Sequence, residues 1–360
     1  MKSGKKILIS PLNWGLGHAS RIIPIIKCLL LYNAEVIIAA DGPGYDLLKI
    51  EFPKLKQIRL SFPTIKYSRS KYLIHGLLLY IPRLIIGIYK EHKQLKKIIK
   101  SENIDIVISD NRYGLWSKNI TSIFITHQLM IKMPGYLKIM EPLLHKILLR
   151  FIRKFDVCWI PDYQNNMGLS GDLSHKYPVQ PNSIFIGPLT RFYKKENKSI
   201  DIIHDILVIL SGPEPQRTIL EEIIIEQIQN TDYNSLIVRG LPLAEKKESY
   251  SPNINFKSHL SSEELLHEIN CSEIIICRSG YSSVMDLQTI NKKAILIPTP
   301  GQTEQEYIAS HLKKMKMYYS VDQKNFRLKT SISNMSEFDP EKNFSLNNKL
   351  DEVIKKLLSA

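Results

Sequence analysis

Cysteine is scarce: four in 360 residues, Cys28, Cys158, Cys271 and Cys277, with no Cys-x-x-Cys spacing among them. That excludes the disulfide framework of a small secreted domain and a thiolate metal cluster, and free thiols in a reducing compartment are expected. Nowhere are two aspartates separated by a single residue. The chain therefore lacks the paired hard oxygen ligands that hold Mg²⁺ or Mn²⁺ against a diphosphate, and neither a metal nor any other cofactor is expected. Long uncharged hydrophobic runs are missing too. The longest apolar stretch, "YLIHGLLLYIPRLIIGIY" at 72–89, contains His75, Pro82 and Arg83 and is too polar at its centre for a lipid-spanning helix. The opening "MKSGKKILIS" shows no secretory signal, so a cytoplasmic location is expected. Acidic residues are outnumbered 35 to 49 by lysine and arginine, giving a formal charge of +14. Either an anionic partner or a Lys- and Ile-rich composition accounts for that excess.

What is present is an alternation of short apolar runs with longer helical patterns, the signature of parallel sheets covered by helices. "KKILIS", "EVIIAA", "DIVIS" and "SIFIT" read as strands of a first sheet, with helices at 18–32, 43–50, 71–100 and 137–154. After a polar, charged stretch at 188–201, which reads as a linker, "DILVIL", "SLIVR", "EIIIC" and "AILIP" supply a second series. Helices are predicted there at 217–229, 261–269, 281–290 and 303–316. The expected fold is α/β, two tandem Rossmann-like, doubly wound domains with a cleft between them, at 1–190 and 201–335. A final helix at 345–360 is expected to pack back on the first domain.

The stretch "PLNWGLGHASR" at 11–21 admits two readings. Gly15 and Gly17, with Asp41 closing the next strand, resemble part of a dinucleotide fingerprint, yet Ser20 holds the third glycine position and bulky His18 stands where a pyrophosphate would approach. Alternatively the glycines make a tight strand-to-helix turn that presents His18 as a base, at a helix start that favours the neutral imidazole.

Three stretches in the second half follow successive strands. "LSGPEPQR" places Ser211, Gly212 and Arg217 where amides and a guanidinium could meet a diphosphate. "CRSGYSSVMD" offers Arg278, Ser279, Gly280, Ser282 and Ser283, with Asp286 placed for ribose hydroxyls. "PTPGQTEQEYIA" offers Gly301, Glu304 and Gln305, polar groups suited to a sugar. Together they point to one ligand with phosphate, ribose and sugar parts.

"RSGYSSVMD" and "PTPGQTEQEYIA" resemble the donor-binding signature of the family that includes the bacterial peptidoglycan N-acetylglucosaminyltransferase, a family 28-like group with the GT-B fold. "GLGHASR" is similar to that superfamily's first loop in a GxGHxxR form. The resemblance implies an inverting glycosyltransferase that takes a sugar from a nucleotide diphosphate sugar, UDP-sugar favoured, as co-substrate. It implies ribose contact at Asp286, donor-sugar contact at Glu304 and Gln305, and a nucleobase bordered by the segment from Phe256 to Leu260. His18 is the first candidate for the base, with Asp110 and His127 as further catalytic candidates. Gly15, Gly17, Asn111, Arg112 and Gln128 are expected on the acceptor side, and Arg217 or Arg278 near the departing diphosphate. The acceptor is a sugar or a lipid-linked glycan, and no nucleic acid partner is expected. Basic, apolar helices such as "LLHKILLRFIRKF" suit peripheral contact with an anionic inner membrane face. An epimerase of the same fold and an NAD-dependent oxidoreductase are the alternatives.

Overall fold

Isoleucine and valine dominate "KILISP", "EVIIAA" and "IVISD", and β-branched runs that are apolar on both faces suit strands buried inside a parallel sheet. In the computed structural model, which describes residues 4–60, 73–165, 168–192, 201–241, 251–340 and 349–359, these runs are inner strands of the first of two sheets. The first unit proceeds β1 (Lys6–Pro11), α1 (Leu16–Leu31), β2 (Glu35–Ala40), α2 (Gly42–Glu51), β3 (Lys56–Arg59), α3 (Leu73–Glu102), β4 (Ile106–Asp110) and β5 (Thr121–Ile125). It continues through a 3-10 turn at Gly135–Met140, α4 (Glu141–Ile152), β6 (Val157–Ile160), α5 (Asp172–His175) and β7 (Ser183–Phe185). Its seven strands lie parallel in the order β3-β2-β1-β4-β5-β6-β7.

The second unit begins at Thr190. It proceeds β8 (His204–Ile209), α6 (Gln216–Ile228), β9 (Ser235–Val238), β10 (Ile254–Lys257), α7 (Ser262–Asn270), β11 (Ser272–Cys277), α8 (Tyr281–Thr289), β12 (Ala294–Leu296), α9 (Thr303–Lys314), β13 (Tyr319–Ser320) and α10 (Leu328–Met335). Its six strands are parallel in the order β10-β9-β8-β11-β12-β13. The last helix, α11 (Leu350–Ser359), returns to the first unit and packs on α1. Ile354 is fully buried there, and Tyr32 donates its hydroxyl to Asp351.

In both sheets the order of strands reverses at one place, between β1 and β4 and between β8 and β11. Loops leaving the carboxyl ends of such neighbouring strands diverge to opposite faces and open a crevice where ligands bind in α/β folds. The loops at 11–21, 210–217 and 277–286 leave from those strands, and the loop at 298–309 leaves from β12, next to β11.

Several elements differ from the sequence expectation. Strands β3, β6, β7, β10 and β13 and helix α10 were not anticipated; "KQIR", "SIF" and "YS" are too short or too polar to carry a period. The helix expected at 137–154 divides into a 3-10 turn and α4, which starts at Glu141 with Pro142 in its first turn, where the missing N–H costs nothing. Residues 193–200 of the expected linker, 71–72 of the expected third helix, and 345–348 and 360 of the expected last helix lie outside the described residues.

Candidate active site

The first unit gathers four polar side chains at its switch point. Strand β1 ends at Pro11, paired in register with Asp110 at the end of β4. Gly15 then adopts φ +92°, a backbone region that side chains disfavour, and caps α1 without a side-chain bond. Gly17 and His18 therefore fall in the first helical turn, against the end of β4. His18 Nδ1 lies 3.0 Å from Asp110 Oδ2, with the imidazole 15% exposed and the carboxylate fully buried.

One turn along α1, Arg21 donates from Nε to both oxygens of Asp110 at 2.9 Å and from Nη1 to His127 Nδ1 at 3.0 Å. Burial pushes the Asp110 carboxyl up, but Arg21 and His18 beside it outweigh that and hold it below the usual carboxylate range. An arginine can only donate, so His127 Nδ1 accepts and its proton sits on Nε2. Arg21 Nη2 also stands 2.8 Å from His18 Nδ1. His18 Nδ1 thus faces an acceptor and a donor at once. The Asp110 carboxylate calls for the proton on Nδ1, which leaves the Nε2 lone pair to take a proton, while Arg21 Nη2 calls for the other tautomer. Arg21 was not among the sequence candidates, although it stands in the same motif three residues after His18, where helical periodicity brings both onto one face.

Asp41 caps α2 by accepting from Gly42 N at 2.9 Å, an ordinary structural use of the acid that a dinucleotide site would have needed. Asn111 turns the chain with φ +55° and is largely buried. Gln128 is partly exposed and closes a turn with Thr126 Oγ1 at 3.0 Å. Arg112, expected on the acceptor side, is turned into the fold. It is fully buried and donates to Glu91 Oε1 at 2.6 Å and to the carbonyls of Pro11 and Leu60 at 3.2 and 2.7 Å.

The second unit brings the three predicted loops together. Arg278, fully buried, donates to the carbonyls of Ile297 and Pro298 at 3.3 and 3.2 Å and of Gln216 at 2.6 Å, joining the ends of β11 and β12 to the start of α6. Burial lowers its pKa to about 10. Ser279 Oγ donates to Gln305 O at 2.9 Å, and Gln305 Oε1 accepts from Thr299 N at 2.9 Å. Gly301, at φ +80°, donates its N–H to Glu306 Oε1 at 2.8 Å, while Glu304 lies partly buried in the first turn of α9. Gly280 caps α8 with open space where a side chain would stand, and Ser282 and Ser283 sit partly exposed in the first turn. Neither α8 nor α9 has a side-chain cap, whereas α7 carries a complete capping box between Ser261 and Glu264. Backbone amides at a helix start can meet an anion.

Four of the expected donor-side residues have partners within the second unit. Arg217 is committed to Glu214 at 2.5 Å, Glu221 at 2.7 Å and Thr218 at 2.7 Å, so its guanidinium is neutralised within the fold. Glu214 also accepts from Thr218 N at 3.3 Å, placing a carboxylate at the start of α6, beside partly exposed Ser211 and exposed Gly212. Arg278 is likewise turned inward, on carbonyls rather than towards an anion. Asp286 accepts from Thr190 Oγ1 at 2.9 Å, Arg191 N at 3.3 Å and Arg191 Nε at 3.2 Å, so both its oxygens are engaged. Burial pushes the Asp286 carboxyl up, against the pull of Arg191 and Thr190. Phe256 lies on β10 and packs against the core of the second unit.

Residues 214–358 match the glycosyltransferase family 28 C-terminal domain. An uncharacterized glycosyltransferase of Methanosarcina acetivorans is 24% identical over 330 residues, spanning 85% of this chain and 81% of the relative. One from Methanosarcina mazei is 23% identical over 321 residues, spanning 84% and 81%. Among solved structures, the glycotransferase of kitacinnamycin superposes with a TM-score of 0.63 at 12% identity, covering 100% of this chain and 96% of that one. MurG of Acinetobacter baumannii gives 0.57 at 12% identity, covering 99% and 100%. These likenesses show the fold, two Rossmann-like α/β domains in the GT-B arrangement.

Proposed function

We propose that this chain, a glycosyltransferase of GT-B fold, transfers a sugar with inversion from a nucleotide diphosphate sugar, UDP-sugar favoured, to an acceptor hydroxyl. The observation that carries the reading is the His18–Asp110 pair at 3.0 Å, held by Arg21 on an uncapped helix start. His18 Nε2 takes the hydroxyl proton as the acceptor oxygen attacks the anomeric carbon. Asp110 orients the imidazole and balances the charge it gains. The nucleotide leaves as a diphosphate, met by the amides opening α8 and by the Ser282 and Ser283 hydroxyls, with Glu304 and Gln305 addressing the donor sugar. The match of residues 214–358 to the family 28 C-terminal domain supports placing the donor on the second unit. The epimerase and oxidoreductase alternatives are not favoured, since the matched relatives are glycosyltransferases. A lipid-linked acceptor fits the basic, apolar face of α4, where Leu143, Ile147, Lys146 and Arg150 are all exposed.

The test combines a thermal-shift screen of nucleotide sugars with turnover of His18→Ala. We expect stabilisation by one sugar nucleotide and a fall in kcat of about 10²- to 10⁴-fold, about 3–5 kcal/mol of barrier, at unchanged donor affinity. Stabilisation by NAD and by no sugar nucleotide would sink the donor assignment. Near-normal turnover in the variant would move the base away from His18.

A further inference from the structure

The segment Asp110–Arg112 sends two charged side chains to opposite sides of the strand ends. Asp110 reaches His18 and Arg21 on α1, while two residues on, after the left-handed turn at Asn111, Arg112 reaches beneath β1. There its fork binds Pro11 O, the last carbonyl before the loop that carries Gly15 and His18, and Leu60 O, just after β3. Its Nε is taken by Glu91 from the middle of α3, and both members of this pair are fully buried. Gly114, with no side chain, lets the chain pass directly against Glu91, where a Cβ would come within 2.9 Å of Oε2. An ion pair with no access to water gives little net stability compared with apolar residues of the same shape, so its value lies in the geometry it imposes.

We infer that Glu91 and Arg112 are positioning residues that fix the Pro11–His18 loop on the end of β4, and so set the His18–Asp110 geometry from beneath. The chain of bonds is short. Glu91 orients the guanidinium, the guanidinium holds Pro11 O, and Leu12 N in turn donates to Asp110 O at 2.9 Å. Displacement of that loop moves the imidazole without touching either substrate. This rests on the reading of His18 as the base, and its test includes an arm independent of turnover.

Two variants separate charge from reach. Glu91→Gln keeps an acceptor for Arg112 Nε but removes the countercharge. Arg112→Lys keeps the countercharge but cannot grip both carbonyls, because an ammonium lacks the planar fork. For each we expect kcat to fall at least about 10-fold, the scale of a small misplacement of catalytic groups, with donor KM unchanged. Amides 12–18 should exchange hydrogen faster while α6 and α8 keep wild-type protection. Wild-type kcat and wild-type exchange at 12–18 in Arg112→Lys would overturn the inference, as would failure of both variants to fold, which would make the pair a fold determinant alone. Faster exchange at 12–18 in variants whose kcat is unchanged would leave the loop contact standing and remove its catalytic consequence, overturning the positioning role. If His18→Ala is itself fully active, the base assignment fails separately, whatever the exchange data show.

Discussion

A charged side chain at a strand end can support a candidate base or lock the fold, and this chain does both within a few residues. Asp110 and Arg112 are two apart, yet one faces the candidate base and the other the interior. Asp162, just after β6, is a heavily bonded acid of the first unit. It accepts from Tyr163 N and Leu169 N at 2.8 Å, Ser170 N at 3.0 Å and His175 Nε2 at 3.2 Å. Burial pushes its carboxyl up, but the bonds from His175 and Ser170 outweigh that and leave it below the usual range. A carboxyl with a folded pKa below its unfolded value of about 3.9 stabilises the fold above that pH, and the contribution is lost as pH falls from there towards the folded value. Asp162→Asn should therefore cost about 2–3 kcal/mol at pH 7. The gap from wild type should narrow near pH 3. Urea titrations at both pH values check this, and an equal gap at the two would assign the acid sensitivity to another group. His18, Asp110 and His127 were legible as candidates because each ends or follows a strand, β1, β4 or β5, at the carboxyl edge of the first sheet. The inward turn of Arg112, Arg217, Arg278 and Asp286 was not, because spacing fixes where a residue leaves the backbone and not which partner its side chain finds.

Elements show the same division. The strongly periodic helices and the all-apolar strands were readable, whereas β7 and β13, with three and two residues, exist because a neighbouring strand supplies a ladder. Helix α4 carries its own prediction. Leu143 and Ile147 are 51% and 40% exposed on a face shared with Lys146 and Arg150, next to Ile139 at 83%. Among the described residues no helix is long and apolar enough to cross a membrane, so any lipid contact of this face is interfacial. Sedimentation with vesicles containing phosphatidylglycerol should capture the wild type at low salt and release it at high salt. A Leu143→Asp, Ile147→Asp pair should stay in the supernatant. Equal capture of that variant would assign the binding to another part of the +14 charge.

At the scale of the molecule, two parallel sheets each reverse their strand order once, and the candidate chemistry sits at both reversals. In the proposed reaction, proton transfer rests on side chains of the first unit. On the second, the groups offered to an anion are chiefly helix-start amides and hydroxyls, since Arg217 and Arg278 are occupied internally. Transfer is therefore expected to persist in excess EDTA, and Ser282→Ala, Ser283→Ala should weaken nucleotide diphosphate binding in calorimetry. Abolition of activity by EDTA with recovery on Mg²⁺ or Mn²⁺ would show that a cation meets the diphosphate instead. The sequence by itself determined the two-domain α/β class and where the candidate loops and the His18 motif fall on it, because hydrophobic period, glycine placement and helix starts are local properties of the chain. The tertiary structure alone decided that Arg21 joins His18, Asp110 and His127, that Glu91 reaches Arg112 from α3, and that Asp286 belongs to Thr190 and Arg191. Those pairings cross up to 106 residues of sequence, and they form where burial makes an uncompensated charge costly and a partner lies within reach.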